Sequence, residues 1–305
     1  CLQVRIRLEK HWKSIFTEKQ KLNNIKIWLK IIITNIVYFK KNKRRKKNFY
    51  KFINKNIKLY GKYKNENQLK NNAPDLDIYI TGSDQVWNTK ITKGLKDAYT
   101  LNFGNSNIIR ASYAASLGND KVDEREIVEY KEKLKILNEI SVREDTGKQI
   151  LEKILHRNVE LVLDPTLLLD KKDWNNIKRD YKEESKKYIL IYDLEKNDIV
   201  YEVANEIKEK LKIPIVNFRR KKQKQIISKY ESGPEEFLNL INNAEIVITN
   251  SFHGAVFSII FHKKFYVIPH TTTFSRTKNL LRILNLEKQI ISDKKQIKNI
   301  LLEEQ

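Results

Sequence analysis

The stretch EIVITNSFHGAVFSIIFH, residues 245–262, contains the pattern on which the fold assignment depends. Its first five residues are rich in β-branched side chains, which favours a strand over 245–249. An apolar run follows at 254–262, and its length favours a buried helix. Between them lies a polar turn that places hydrogen-bonding groups where the strand ends. The stretch therefore predicts one strand–turn–helix unit of an α/β protein.

The same alternation of short apolar strands and amphipathic helices extends through most of the chain. Strands are predicted at 78–81, 108–115, 140–142, 159–163, 188–192, 213–218, 245–249 and 265–268. Helices are predicted at 124–138, 145–155, 199–211, 254–262 and 276–285, with a further helix that starts at Pro234. Strands that alternate with helices are typical of parallel sheets. Because the alternation comes in two runs, we expect an α/β fold with two Rossmann-like domains, over residues 71–168 and 185–290.

Basic charge is concentrated near the start of the chain. The 305 residues include 60 Lys and Arg against 38 Asp and Glu, which gives a formal net charge of +22. Residues 1–70 hold 21 of the basic and 3 of the acidic residues, so they carry +18 and the remaining chain carries +4. Apolar residues at helical spacing predict that this basic segment is mainly helical. We expect residues 291–305 to form a C-terminal tail or helix.

The densest part of the basic segment has two interpretations. It consists of Lys40, Lys41, Lys43, Arg44, Arg45, Lys46 and Lys47. Such a block attracts an anionic membrane by about 1 kcal/mol per charge, but it is more often the solvated face of a Lys-rich helix. No nucleic-acid recognition motif accompanies it, so we expect no nucleic-acid partner. Peripheral contact with an anionic membrane remains one of the two alternatives.

Three features bear on location and on the start of the chain. The chain contains no run of about 18 apolar residues, so we expect no membrane span. The first ten residues do not have the pattern of a signal peptide. Cys1 is the single cysteine, which excludes an internal disulfide and favours the cytoplasm, and the basic block adds the inner face of the membrane as an expected location. Because the chain holds no methionine, we expect its natural beginning to be missing.

Polar groups follow the predicted strand at 78–81. Gly82 permits a tight turn, and Ser83, Asp84 and Gln85 add hydrogen-bonding groups near the flat ring of Trp87. A polar set beside an aromatic ring suits a sugar, so this segment is a candidate for binding a sugar acceptor. The alternative is a helix start at which Ser83 or Asp84 is the N-cap.

Two further segments place charged groups at strand ends. Arg143 follows the strand at 140–142, where a guanidinium would bind phosphate or carboxylate. The alternative is a surface ion pair with Glu144 or Asp145. His253 lies in the turn of the opening stretch, at a helix N-terminus that attracts anions, and the ordinary pKa of imidazole suits proton transfer. The alternative for His253 is a structural role.

Five motifs occur in a fixed order along the chain. They are Gly82-Ser83-Asp84-Gln85-Val86-Trp87-Asn88, Tyr113-Ala114-Ala115-Ser116-Leu117-Gly118, Ser141-Val142-Arg143-Glu144, Leu163-Asp164-Pro165-Thr166-Leu167-Leu168 and Asn250-Ser251-Phe252-His253-Gly254. This set closely resembles the polysaccharide pyruvyl transferase family, over residues 75–285. The resemblance implies a fold similar to the glycosyltransferase-B architecture, with the active site in the cleft between two domains. It also implies transfer of pyruvate from phosphoenolpyruvate to two hydroxyls of a sugar, which forms a ketal and releases phosphate.

The resemblance assigns expected roles to individual residues. Arg143 and His253 match the donor-binding arginine and the catalytic histidine of the family, and Asp84 is expected to act as a base or as a sugar ligand. The residues expected to bind the donor are Arg143, Ser251, His253, Gly254 and Arg276. Those expected to bind the acceptor are Gly82, Ser83, Asp84, Gln85, Trp87 and Tyr113.

The chain departs from the family pattern in two places. Many members have Arg-Leu-His where this chain has Ser251-Phe252-His253, so we expect another cation, such as Arg276, to replace the missing arginine. Family members also tend to begin with a Gly-rich strand–turn–helix, and no Gly-rich segment precedes Gly61. We expect that this unit was lost with the missing beginning or does not exist in this protein.

Two other functions fit the same sequence. A nucleotide-sugar glycosyltransferase would share the architecture, but the Asp75-Leu76-Asp77 triplet precedes its strand and so lies at the wrong sheet edge for a metal. A catalytically degenerate protein would bind acidic glycans or a membrane surface through its basic block. We expect no cofactor beyond phosphoenolpyruvate as donor substrate and no metal site. The expected partner is a sugar or polysaccharide acceptor, either free or lipid-linked.

Overall fold

The computed structural model describes residues 38–177, 187–220, 224–271, 273–293 and 296. The helices of these parts are α1 (residues 38–56), α2 (Glu66–Asn71), α3 (Thr89–Thr92), α4 (Asp97–Thr100), α5 (Glu124–Leu134), α6 (Asp145–Leu155), α7 (Lys171–Ile177), α8 (Asp198–Leu211), α9 (Pro234–Asn243), α10 (Phe252–Ile260) and α11 (Ser275–Ile283). The strands are β1 (Ile78–Thr81), β2 (Ile109–Ser112), β3 (Ser141–Val142), β4 (Glu160–Leu161), β5 (Ile189–Tyr192), β6 (Ile215–Asn217), β7 (Ile226–Ser228), β8 (Ile246–Thr249) and β9 (Lys264–Val267). Strands and helices alternate, as the sequence predicts, so the α/β class is confirmed.

The first half of the described chain contains four parallel strands. Strand β1 pairs with β2, and β3 pairs with β4. Single parallel bridges, Ala111 to Glu139 and Ala115 to Val142, connect these two pairs. A buried cluster that includes Trp87, Tyr130 and Leu151 fills the space beneath them. The carboxyl ends of β1 and β3 therefore meet at one edge.

The second half contains a five-stranded parallel sheet in the order β7-β6-β5-β8-β9. Alternate residues of its strands enter two different cores. Leu190 and Val247 lie in one cluster, whereas Ile189, Ile191 and Ile248 lie in the other. Both faces are thus covered by helices, as in other parallel sheets. From β5 the chain adds β6 and β7 on one side and then β8 and β9 on the other, so the strand order reverses between β5 and β8. Ligands of open parallel sheets bind at the carboxyl ends of the strands beside such a point.

Some predicted boundaries differ from the observed ones. The strand predicted at 108–115 is shorter, because the chain leaves the ladder after Ser112 and Ala114 adopts a positive φ of 52°. Strand β7 was not predicted, since its three residues pair only with β6 at the edge of the sheet. The division between the two predicted domains stays a prediction, because residues 178–186 lie outside the described parts.

The described part of the basic segment, residues 38–70, is helical over 38–56 and again from Glu66, but not over 57–65. Residues 1–37 and most of the predicted tail at 291–305 lie outside the described parts. Helix α1 packs against the segment before α9. Arg45 Nη1 donates to Tyr230 O at 3.2 Å, and Asn48 Nδ2 donates to Glu231 O at 3.0 Å. Among the described helices, none is long and apolar enough to cross a membrane.

Candidate functional site

Polar side chains from both halves meet at the carboxyl ends of the strands. The turn after β1 begins with Gly82, which has a φ of 114°, and a Cβ there would lie 2.2 Å from Tyr113 O. Only glycine allows this approach. The turn consequently lies against the strand end of β2 and directs Ser83 and Asp84 towards Arg143, which follows β3.

Arg143 lies at the centre of this cluster. Its guanidinium donates from Nη1 to Asp164 Oδ2 at 2.6 Å and from Nη2 to Asp84 Oδ1 at 2.9 Å. The side chain is 1% exposed. Burial opposes its charge, but Glu144, Asp164 and Asp84 outweigh burial and raise the pKa of Arg143. A ligand could therefore reach this guanidinium only by displacing a carboxylate.

Asp164 supplies the buried carboxylate that receives Arg143. It follows β4 and caps a short 3-10 helix, Pro165–Leu168, by accepting from Thr166 N at 3.1 Å. Its Oδ2 also accepts from Ser83 Oγ at 2.8 Å. Burial favours the neutral acid, but hydrogen bonds from Thr166 and the charge of Arg143 hold the pKa of Asp164 below its ordinary value. Asp164 is thus ionised at neutral pH.

His253 approaches the same carboxylate from the second half. Its Nε2 lies 3.9 Å from Asp164 Oδ2, and its side chain is 35% exposed. Burial lowers the pKa of His253, while the negative charge of Asp164 opposes that shift. Arg143 and His253 therefore converge on one oxygen, as an active-site role for both requires.

The turn that carries His253 is fixed by its neighbours. Asn250 Nδ2 donates to Asp193 Oδ1 at 2.7 Å, and Asn250 Oδ1 accepts from Leu194 N at 2.8 Å, which ties the ends of β5 and β8 together. Ser251 caps α10, because its hydroxyl accepts from Gly254 N at 3.4 Å. Ser251 thus has a structural task in addition to its predicted part in donor binding.

Arg276, near the start of α11, is the second cation of the cluster. Its guanidinium carbon lies 5.7 Å from the centre of the Phe252 ring, and that of Arg143 lies 4.8 Å from the same centre. With the Gln85 amide oxygen turned towards it, that oxygen accepts from Arg276 Nη2 at 3.2 Å. Burial and the neighbouring Arg143 lower the pKa of Arg276. Among the described residues, no carboxylate forms an ion pair with Arg276.

Glu144 is a buried acid beside Arg143. Its Oε1 accepts from Ser116 Oγ and lies 3.6 Å from Arg143 Nε. Burial raises the pKa of Glu144, although Ser116 and Arg143 oppose the shift. The predicted alternative of an Arg143–Glu144 ion pair is therefore present, but it is buried and belongs to a larger network.

The first candidate segment does not form the site that its composition predicts. Trp87 is fully buried, and its Nε1 donates to Tyr99 O at 3.0 Å, so the prediction that its ring binds the acceptor is wrong. Ring burial in the first core outweighs exposure at this position. Ser83 and Asp84 are not helix caps either, since α3 begins later and Asn88 is its N-cap. Tyr113 is half-buried, and its N–H donates to Thr81 O.

Asp164 and Phe252 join the cluster without a predicted role. Both lie in motifs of the sequence, and the signal for Asp164 was an acid that directly follows a strand and precedes Pro165. Phe252 gave no signal of its own, because an aromatic side chain at a helix start is more often part of a core.

A cavity of about 680 Å³ is lined by Thr89, Lys90 and Tyr130 and by residues of the segment 117–126, and none of the clustered side chains described above lines it. Asn119, on its wall, donates from Nδ2 to Asn88 Oδ1 at 3.2 Å. Next to it, Ser275 Oγ donates to Asp120 Oδ1 at 2.6 Å and so joins α11 to the first half. Within the described parts of the chain, no group of three or more His, Cys, Asp and Glu side chains is placed to hold a metal ion.

Two solved structures show distant likeness to this chain. A structure of MnaA from S. aureus with UDP has 11% sequence identity and a TM-score of 0.47, over 74% of this chain and 65% of that chain. A protein from Listeria monocytogenes, described as a UDP-N-acetylglucosamine 2-epimerase, has 13% identity and a TM-score of 0.36, over 70% and 66%. The chain thus spans just under two thirds of each. Likeness at this level indicates nothing about ligands.

Comparison with sequences gives a clearer result. No curated protein matches the chain. The family model of polysaccharide pyruvyl transferases matches residues 18–272, which include the five motifs and all but one of the candidate site residues. This match spans well over half of the sequence, and the chain therefore belongs to the polysaccharide pyruvyl transferase family.

Proposed function

We propose that this protein transfers a pyruvyl group from phosphoenolpyruvate to two hydroxyls of a sugar in a glycan, with formation of a ketal and release of phosphate. One observation carries the proposal. A partly exposed histidine, His253, lies with two guanidinium groups and the exposed carboxylate of Asp84 at the carboxyl ends of strands from both halves. Membership of the family supports it independently.

The donor carries a phosphate and a carboxylate, which need cations. The two terminal nitrogens of Arg143 already bind Asp164 and Asp84, so Arg276 is the better direct ligand of a donor anion. The start of α10, at His253 and Gly254, adds the partial positive charge of a helix N-terminus. In this arrangement Arg143 maintains the shape of the site while Arg276 and the helix bind the donor.

The sequence Ser251-Phe252-His253 explains how Arg276 replaces the arginine that many family members have two places before the histidine. The Phe252 ring presents its face to the guanidinium of Arg276, and such cation–π contacts stabilise an arginine in place. Ser251 takes up little space and caps the helix. The cation is thus supplied from the start of α11 and held by the residue next to the histidine.

His253 would act as the acid of the reaction. It gives its proton to the methylene carbon of phosphoenolpyruvate, which becomes a methyl group, and leaves an oxocarbenium-like centre on the adjacent carbon. One sugar hydroxyl adds there and loses its proton. The second hydroxyl then displaces phosphate, and its proton leaves as the ketal ring closes. The balance is one phosphoenolpyruvate and one diol to one ketal and one phosphate.

Asp84 suits the acceptor side. Its side chain is 64% exposed. Although partial burial favours its neutral form, Arg143 outweighs this and holds the pKa of Asp84 below its ordinary value. A carboxylate with a lowered pKa is a weak base but a good hydrogen-bond acceptor. Asp84 is therefore better suited to orienting a sugar hydroxyl than to removing its proton.

The basic helix α1 adds a second element to the proposal. Phe39, Lys43, Lys46 and Tyr50 are exposed and recur at spacings that place them on one helix face. Aromatic and cationic side chains on one face are typical of helices that lie on an anionic membrane. Contact with the inner face of the cytoplasmic membrane would bring the enzyme to a lipid-linked acceptor.

The direct test is incubation of the protein with phosphoenolpyruvate and candidate glycans. The expected result is release of inorganic phosphate that depends on the glycan, together with a mass gain of one pyruvyl group on the glycan. Binding of a nucleotide sugar in calorimetry, without binding of phosphoenolpyruvate, would favour a glycosyltransferase. Glycan binding with steep salt dependence and no phosphate release would favour a degenerate binding protein.

A further inference from the structure

One buried oxygen, Asp164 Oδ2, connects the catalytic groups of the two halves. It accepts from Arg143 Nη1 at 2.6 Å and from Ser83 Oγ at 2.8 Å, and it lies 3.9 Å from His253 Nε2. The carboxylate itself is 1% exposed. Within the described residues, these contacts place a single negative charge between a fixed guanidinium and the candidate acid.

From this geometry we infer that Asp164 is a positioning residue of the transferase: it fixes Arg143 and places a negative charge beside the ring of His253 for the transfer step. The inference deepens the proposed function and rests on it. Asp164 touches neither donor nor acceptor in this role. It acts through the two side chains that it faces.

The placement of Asp164 is set by the backbone as well as by the ion pair. Its second oxygen, Oδ1, accepts from Thr166 N at 3.1 Å and from Thr166 Oγ1 at 2.6 Å. The acid is thus held at the start of the 3-10 helix, and Oδ2 is directed towards Arg143 and His253. A carboxylate that is held from both sides can orient its neighbours without moving itself.

The effect on His253 depends on all the charges around it. Burial, Arg143 and Arg276 disfavour the protonated ring, whereas Asp164 and Asp84 favour it. Of the two acids, Asp164 has the larger effect. Removing its charge leaves burial and two guanidinium groups opposed by Asp84 alone, so the pKa of His253 must fall and the acid form must disappear at a lower pH.

The main variant is Asp164→Asn. Asparagine keeps the size of the side chain and can still cap the 3-10 helix through its carbonyl oxygen, but it has no charge. The matched control is Thr166→Val, which removes a hydrogen bond to the other oxygen of Asp164 and leaves the charge that faces His253 unchanged.

Two readouts separate a positioning role from a merely structural one. The first is an NMR titration of the histidine rings, in which His253→Asn identifies the signal of His253 among the five histidines. The second is the pH profile of phosphate release from phosphoenolpyruvate. In Asp164→Asn we expect the His253 midpoint and the corresponding limb of the profile to move to lower pH, and turnover to fall about 10²-fold. Thr166→Val should move neither the His253 midpoint nor that limb of the pH profile.

A second variant, Ser83→Ala, should shift the His253 midpoint in the opposite direction, and it tests the inference even if Asp164→Asn does not fold. Ser83→Ala removes a hydroxyl that donates to Oδ2, so more of the negative charge acts on His253 and its NMR midpoint should rise. A fall of that midpoint in Ser83→Ala, or equal shifts in Asp164→Asn and Thr166→Val, would overturn the inference. If the unaltered protein releases no phosphate from phosphoenolpyruvate, the proposed function fails, and the NMR titrations still decide whether Asp164 controls His253.

Discussion

Arg143 and Arg276 have the same side chain in different surroundings. Arg143 is enclosed by Asp84, Glu144 and Asp164, whereas Arg276 contacts Gln85 and the Phe252 ring. A charge that is already neutralised by its neighbours gains little from a further anion. A cation without a paired acid gains the full charge-assisted hydrogen bond. At the scale of single residues, donor binding is therefore expected at Arg276.

Arg276→Ala should raise the KM for phosphoenolpyruvate by about 10- to 100-fold, because it removes a hydrogen bond between two charged groups. The turnover number should change less. Steady-state phosphate release over a range of donor concentrations measures both. Arg282→Ala is the matched control, since Arg282 lies on the same helix, is exposed and donates only to Asn279 in the described contacts. Equal KM values in the two variants would reject Arg276 as a donor ligand.

His253→Asn should reduce turnover by at least about 10²-fold, the lower end of what a positioned acid contributes. The control is His156→Asn. His156 is exposed at the end of α6 with a φ of 53°, a conformation that asparagine adopts readily. Both variants are assayed by phosphate release, with circular dichroism to compare folding. Near-normal turnover in His253→Asn would remove His253 from the mechanism.

The sequence predicts which residues lie at the site but not how they contact one another. Arg143, Asp84 and His253 were predicted because charged side chains directly after strands lie at the ligand-binding edge of a parallel sheet. Their contacts across the two halves were not predictable, because they depend on how the two sheets meet. The interpretation of Trp87 failed for a related reason: a ring near a polar turn can point into the core as easily as towards a sugar.

At the element scale, the turn between β8 and α10 depends on close packing of strand against helix. A Cβ on Gly254 would lie 2.3 Å from Thr249 Oγ1, and Thr249 is fully buried with its hydroxyl donating to Tyr192 O at 2.7 Å. The neighbouring strand end therefore leaves no room for a methyl group, although the backbone of Gly254 is helical. This glycine brings the start of α10 against the sheet.

Gly254→Ala should lower the free energy of unfolding by about 1–3 kcal/mol, because the added methyl group forces β8 and α10 apart. Gly147→Ala is the matched control within α6. Its Cβ would meet Glu144 Oε2 and Leu117 Cδ1 at 3.4 Å, an ordinary contact, so helix propensity should dominate and raise stability by about 0.5–1 kcal/mol. Urea unfolding of both variants measures the difference, and equal effects would contradict the packing argument.

Most elements were predictable because each has a clear apolar period. The helices α6 and α9 and the strand β1 begin where the sequence predicts them, and the strand–turn–helix stretch at 245–262 was recognised as a unit. Strand β7 was missed, since three residues with one pairing partner carry too little signal. Short edge strands depend on the neighbour that they join rather than on their own pattern.

On the scale of the whole molecule, the two faces of the basic helix α1 have different surroundings. Helix α1 uses one face to bind the segment before α9 and the first turn of α9. Arg44 Nη1 lies 3.3 Å from Glu231, and Lys55 Nζ lies 3.1 Å from Glu235. Its exposed face carries Lys40, Lys43, Lys46 and Lys47. Helix α1, the described helix with the densest basic charge, thus packs on the fold and still presents cations to solvent. This combination is what the proposed contact with an anionic membrane requires.

Replacement of Lys40, Lys43, Lys46 and Lys47 by glutamine should weaken binding to vesicles of anionic lipid, because each charge contributes about 1 kcal/mol near such a surface. The control replaces Lys131, Lys135, Lys153 and Lys172, which are exposed on other helices or at a helix end. Sedimentation with vesicles, at low and at high salt, measures the binding. Equal binding of both variants, or binding that neutral vesicles reproduce, would contradict a membrane contact through α1.

The contact between Phe252 and Arg276 has a consequence for how relatives of this protein are recognised. In the proposed mechanism, the guanidinium of Arg276, 24 positions after Phe252, does the task of an arginine that many family members have two positions before the histidine. The position of the cation in the site can then be retained during evolution while the residues of the tripeptide before the histidine vary. We expect family members that have a small polar residue and an aromatic residue before this histidine to have an arginine at the start of the next helix, and an alignment of the family tests that pairing.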